Sequence, residues 1–233
     1  MKFKESDMYE PIRNLLTQQG FTVRGEVKGC DIAAVKDDTL WVVEMKLTAN
    51  ITLIYQAMAR QTATDWVFIA IPRPRKSRDG TFLKLQKLIK KLELGLITVA
   101  LDSPAKFAEI IVFPVGRDDK NNKKTKALKR EIAGRTIDST GGTAKIKINT
   151  AYKERCVRIA CLLEANGPLS AKALTNLGCE KDAWSILNTH VWFFKISKGV
   201  YGLSKIGEAY LEENAAATLV AYYRMKSLAY TAF

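Results

Sequence analysis

Apolar positions along the first hundred residues follow two rhythms. Met8, Ile12, Leu15 and Leu16 recur at helical spacing and stop at Gly20, which predicts an amphipathic helix over 4–19. Phe21–Val27 and Asp31–Lys36 then read as strands, Asp37-Asp38 as a turn, and Leu40–Lys46 as a further β-rich run. Asn50 is placed to cap a helix over 51–63, and Asp65–Ile71 is a buried-type strand closed by Pro72. Thr81–Leu94 lines up Leu85, Leu88, Ile89 and Leu92 on one side, and Leu96–Leu101 and Glu109–Val115 are the last strands of this series. The order α-β-β-β-α-β-α-β-β implies an α/β fold: a mixed sheet with helices on its faces.

The rhythm lapses between Gly116 and Thr150, where bulky apolar residues are scarce and DDKNNKKTK precedes DSTGGTAKIKIN. This stretch reads as a basic linker holding one short helix, Lys126–Ala133. Residues 151–233 resume with a helix through Val157–Leu163, a second one capped by Ser170, and a third over Glu180–His190. A hairpin turning at Lys198-Gly199 and a final helix over Ser204–Arg224 follow. Three short helices and a two-stranded hairpin resemble a small winged helix-turn-helix domain, a module that binds nucleic acid or mediates protein contacts. The expected domains are therefore 1–115, a linker 116–150, and 151–233.

Composition narrows the chemistry. The four cysteines form no CxxC pair and His190 is the only histidine, which argues against a Cys/His zinc site and any histidine-dependent triad. Scattered cysteines fit a reducing compartment, so a cytoplasmic location is expected. No apolar run approaches the ~20 residues of a membrane span, and the first residues have no signal-peptide pattern. The 233 residues carry a net charge of +13, most concentrated in 116–150 at +6. A surplus of that size points to a polyanionic partner, with nucleic acid the commonest.

The segment GCDIAAVKDDTLWVVEMKL carries the candidate chemistry. If Asp37-Asp38 forms the loop, Lys36 pairs with Thr39 and Asp31 falls directly opposite Glu44, with Lys46 two positions on and facing the same way. Both faces of this hairpin are otherwise apolar, so it is buried. Two carboxylates at its end repel, and neither ionises willingly there. A divalent cation removes the conflict, and hard oxygen donors suit Mg²⁺, with Mn²⁺ as a substitute. Lys46 can orient a water or offset charge developing on a phosphate.

An Asp opening one strand and (D/E)-x-K on the next, in an αβββαβ order, resembles the PD-(D/E)XK phosphodiesterase superfamily. Here the signature is Asp31 with Glu44-Met45-Lys46. The resemblance implies a restriction-endonuclease-like fold and metal ligation by Asp31, Glu44 and the carbonyl of Met45. It implies that Lys46 positions the attacking water and stabilises the transition state. It adds Gln56 on the following helix as an orienting group, and Glu5 in the first helix, with Glu10 and Glu26 as weaker choices. Arg60, one helical turn after Gln56, would reach a phosphate. The basic loop Arg73, Arg75, Lys76 and Arg78 would track a nucleic-acid backbone, as would Lys181 and Lys198 in the C-terminal domain.

The function expected is a Mg²⁺-dependent nuclease hydrolysing DNA phosphodiester bonds. The competing reading is a non-catalytic DNA-binding regulator whose nuclease-like domain only binds or dimerises, which leaves a homodimer open. RNA as substrate is a third, for which no dedicated module speaks.

Overall fold

The computed structural model describes residues 3–75, 80–115, 123–138 and 150–230. The chain divides into two compact units, Met1–Ile148 and Asn149–Phe233. Among the described residues no helix is long and apolar enough to cross a membrane.

In the first unit a short 3-10 turn, Glu5–Met8, leads into α1 (Tyr9–Gln18). Then come β1 (Thr22–Val27), β2 (Cys30–Lys36), β3 (Thr39–Met45), α2 (Ile51–Arg60), β4 (Val67–Pro72), α3 (Gly80–Lys91), β5 (Gly95–Ala100) and β6 (Phe107–Val112). The six strands form one sheet in sequence order. β1, β2 and β3 are antiparallel neighbours, β3, β4 and β5 run parallel, and β6 returns antiparallel. The parallel strands thus end together, with Glu44-Met45 closing β3 beside Ile69 and Ala70 of β4.

Alternation of side chains sends the apolar residues of each strand to two separate cores. One face brings Val43, Met45, Phe68, Ala70, Ile97 and Val99 against Met8, Ile12 and Leu16 of the N-terminal helix. The other packs Ile69, Ile71 and Leu96 under Leu53, Ala57 and Ile89 of α2 and α3. Helices on both faces explain why the central strands read as near-continuous apolar runs.

The linker reading needs correction over 123–138. Lys123–Ala133 forms a helix, α4, whose Leu128 and Ile132 are buried with Val27, Cys30, Ala33, Leu40 and Val42. This helix completes the second face over β1 and β2, so the segment belongs to the sheet unit. Its anchor is Arg135, which pairs with Glu131 at 3.0 Å and donates to the carbonyls of Gly25 and Glu26, both at 3.0 Å. Asp138 accepts the amide of Gly25 and the hydroxyl of Tyr9.

The second unit runs α5 (Ala151–Asn166), β7 (Leu169–Ser170), α6 (Ala171–Asn176), α7 (Ala183–Thr189), β8 (Phe193–Ser197), β9 (Val200–Leu203), α8 (Lys205–Glu213) and α9 (Thr218–Tyr230). Its three strands are ordered β7-β9-β8. The caps fall where the residue types place them: Thr150, Ser170 and Ser204 accept from Lys153, Ala173 and Gly207. The single final helix expected over Ser204–Arg224 is instead two. It breaks at Asn214, whose amide side chain and backbone N–H both turn back to the carbonyl of Tyr210.

Candidate active site

The hairpin that holds the site is fixed by its turn. Lys36 pairs with Thr39, Val35 with Leu40 and Ile32 with Val43. One further step of that register sets Asp31 opposite Glu44. Asp31 stands at the start of β2, and its Oδ2 accepts the Met45 amide at 2.7 Å. The same β2 is entered through a tight turn at Lys28-Gly29, both with positive φ (52° and 80°), the geometry of a two-residue hairpin loop. Glu26, opposite Asp31 in the β1–β2 register, also takes a positive φ of 52°, and Arg135 holds its carbonyl.

Glu44 is only 1% exposed. Its Oε1 accepts Arg60 Nε at 2.6 Å, while Oε2 is buried with no hydrogen-bond partner among the described residues. The Glu44 and Asp31 side chains interact directly. Burial, followed by the charge of Asp31, lifts Glu44 to about 7 against the opposing pull of Arg60. Burial likewise raises Asp31, against the Met45 amide and the charge of Lys46. Lys46, about 30% exposed, lies 3.4 Å from Oε2 of Glu5, carried in by the 3-10 turn. Asp31 also feels the charge of Glu5. Four side chains from three elements therefore converge at the end of β3: Asp31, Glu44, Lys46 and Glu5.

The donor set suits a divalent cation. An orphaned carboxylate oxygen beside a second carboxylate is the arrangement that a hard cation satisfies. Among the described residues no three His, Cys, Asp or Glu side chains are placed to hold one ion together, so the remaining positions would fall to a carbonyl, water or substrate oxygen.

The other expected residues fall as follows. Gln56 is half-buried on α2, one turn before Arg60, with no hydrogen bond to the four among the described residues. Arg60 was expected to reach toward substrate; it is turned onto Glu44 and also donates to the Gly29 carbonyl. The reason is packing: α2 lies against the face from which Glu44 points, and the buried carboxylate needs a cation. Arg73 pairs with Glu109 and lies 4.7 Å from the Phe107 ring, which holds it at the end of β4. Arg75 is exposed beside it, while Lys76 and Arg78 lie outside the described residues. Glu10 is exposed and pairs with Arg13. Lys181 and Lys198 are exposed on the second unit, before α7 and at the β8–β9 turn.

Sequence reading missed Arg135 and Asp138, which brace the β1 backbone beside the site. The available signal was the Leu128/Ile132 pair, four residues apart on one helix face. It was diluted by the lysines around it.

A mixed six-stranded sheet flanked by helices, with β3–β5 parallel and the acidic pair and lysine at their common end, is a restriction-endonuclease-like α/β fold. Residues 97–210, just under half of the chain, match the family model described as "Putative PD-(D/E)XK phosphodiesterase (DUF2161)". The chain is similar to that family over this stretch, which begins after Asp31 and Glu44, so the match is independent of the motif read from the hairpin. No curated protein and no solved structure matches the chain.

Proposed function

We propose that the protein is a metal-dependent nuclease that hydrolyses DNA phosphodiester bonds at the end of β3. The observation that supports this reading most is the orphaned Glu44 oxygen buried against Asp31, with the Lys46 ammonium close by. Asp31, Glu44 and the Met45 carbonyl would hold Mg²⁺ or Mn²⁺. The bound cation supplies positive charge to a phosphoryl group and acidifies a bound water. Lys46 orients the attacking water and offsets charge on the transferring phosphate, and Glu5 holds the ammonium in position from the other side. Gln56 would orient the same group from α2.

The net positive charge and the exposed Arg75 favour a polyanionic substrate. The element order α5-β7-α6-α7-β8-β9 supports a winged-helix role for the second unit, with Lys181 and Lys198 toward nucleic acid. The regulator reading is weaker, because a domain that only binds has no need to keep two repelling carboxylates and a lysine together.

Cleavage of supercoiled plasmid and of linear single- and double-stranded DNA, with Mg²⁺ or Mn²⁺, tests the reading. Cleavage is expected, with a loss of about 10²-fold or more in Lys46→Ala. No cleavage at any salt concentration, or an undiminished Lys46→Ala variant, overturns it.

A further inference from the structure

The N-terminal helix stops short of the far end of the sheet. Leu16 is the last buried residue of α1, and the chain then turns through Gly20, at φ 87°, into Phe21. Past that point a group of rings lies on the sheet face that α1 covers elsewhere. Trp41 stacks on Trp66 at 5.8 Å, Phe21 lies 4.5 Å from Trp41, and Phe113 meets Trp41 edge-on at 6.2 Å. These four rings line a cavity of about 460 Å³. It opens at the end of the sheet opposite the carboxylates. β3 runs from Thr39 to Met45, so the two sites lie about 20 Å apart along the strand. They also look to opposite faces, since Trp41 shares its face with Val43 and Met45 and not with Glu44.

Two observations point to a ligand. Trp41 is 7% exposed, and its indole N–H is buried with no hydrogen-bond partner among the described residues. A buried donor without an acceptor is costly, and an acceptor brought against Trp41 removes that cost. Phe113 presents the second. Its ring meets Trp41 and Phe68 at an interplanar angle of 76° in both cases, yet 57% of the residue is exposed. An aromatic ring that is anchored and still open to solvent is a stacking platform. The rim is polar. Lys36 donates to the Gln19 carbonyl at 3.0 Å and pairs with no carboxylate among the described residues. Asp37, in the β2–β3 turn, is the one acidic residue lining the cavity among the described residues.

The occupant must therefore offer a flat face to Phe113, an acceptor to the indole N–H and a donor to Asp37. A nucleobase carries all three on one ring. An organic cation suits the ring faces and Asp37, but it brings no acceptor and meets the positive ends of Lys36 and the indole N–H. An apolar side chain leaves the N–H orphaned. We propose that this cavity takes one unpaired base of a nucleic-acid strand, stacked on Phe113 with its polar edge toward Trp41 and Asp37. The Lys36 ammonium meets a neighbouring phosphate, in keeping with the net charge of +13. A strand as the occupant rests on the nuclease reading; the fit of the ring does not.

The test uses the full chain in EDTA, so that cleavage plays no part. Fluorescence anisotropy compares labelled (dT)8 with a labelled strand of eight abasic units, which keeps the phosphates and lacks every base. The (dT)8 strand should bind about tenfold tighter, the scale of one base–aromatic stack. Phe113→Ala should bring (dT)8 down to the level of the abasic strand, and Phe113→Trp should keep the preference. Lys36→Gln should weaken both strands alike and lower the salt dependence by about one phosphate. Equal binding of the two strands overturns the inference, and so does a preference that survives Phe113→Ala in folded protein. Displacement of (dT)8 by choline chloride beyond that by equal sodium chloride also overturns it, in favour of a cation cage. The assay contains no metal and reads no cleavage. It can therefore fail while Lys46-dependent cleavage persists, or succeed where cleavage is absent, so the two readings separate.

Discussion

Arg60 Nε lies 2.6 Å from Glu44 Oε1, and this ion pair joins the last turn of α2 to the end of β3. It leaves the second Glu44 oxygen buried with no hydrogen-bond partner among the described residues, so Arg60 meets only part of what the buried pair requires. Removing the guanidinium leaves two neighbouring carboxyls without a compensating cation. Arg60→Ala should therefore destabilise metal-free protein by about 2 kcal/mol, below the range for a fully buried pair because Arg60 is itself 26% exposed. Urea unfolding with and without Mg²⁺ checks this, and Mg²⁺ should recover part of the loss.

The raised Glu44 carboxyl sets the pH dependence of the metal-free protein. Folded, the group titrates near 7 rather than near 4.5. Between those values the folded state keeps a proton that the unfolded chain has released, so stability falls as pH rises from about 4.5 to about 7 and levels off above. The total change should be about 3 kcal/mol. Asp31, shifted in the same direction, adds to the fall. Urea midpoints measured across this range should show the decline in EDTA. Glu44→Gln or saturating Mg²⁺ should flatten it, and a stability that climbs with pH would contradict the assignment.

Arg135 is buried, with its guanidinium tied to Glu131 and to two carbonyls of β1. Arg135→Met keeps the volume and loses these bonds, which leaves Glu131 and the Gly25 and Glu26 carbonyls short of donors. A destabilisation of about 3 kcal/mol is expected. Thermal unfolding measures it, and amide exchange at residues 25–31 should speed up if the β1–β2 end loosens locally.

Gly95 opens β5 with the Phe68 ring packed directly over its Cα, where a Cβ would collide with the ring. Gly95→Ala must displace Phe68 from the core that it shares with Trp41 and Val99. A cost of about 1–3 kcal/mol follows from overpacking. Gly95→Ala combined with Phe68→Leu should recover part of it, and denaturant titration of the two variants decides.

Lys46→Ala should leave the fold nearly unchanged, since its ion pair with Glu5 is partly exposed and such pairs contribute under about 1 kcal/mol. A large loss of cleavage with a small shift in unfolding midpoint separates a chemical role from a structural one.

Much of this architecture was legible in the chain because periodicity and turn chemistry are local. Met8, Ile12 and Leu16 mark their helix face by spacing alone, and the Asp37-Asp38 loop counts off the register that opposes Asp31 and Glu44. Glu5 reaches Lys46 from the 3-10 turn that leads into α1, in the N-terminal segment to which the resemblance pointed. What stayed hidden depends on how elements lie across one another. Arg60 meets Glu44 only because α2 settles over β3 at one angle, and no spacing between residues 44 and 60 encodes that. Likewise, Leu128 and Ile132 are two apolar residues among many lysines, a stripe too narrow to announce that α4 closes a core. The break at Asn214 was hidden because the alanines that follow it favour helix.

The helix that closes the β1–β2 face is also the last described helix of its unit to be synthesised. A nascent chain that has emerged only as far as β6 already contains every residue of the acidic cluster, yet Val27, Leu40 and Val42 still lack their cover and the bend at Glu26 its brace. The surroundings of that cluster are therefore complete only after translation of about two dozen further residues. Until then the newly made protein holds its chemistry in an unfinished form.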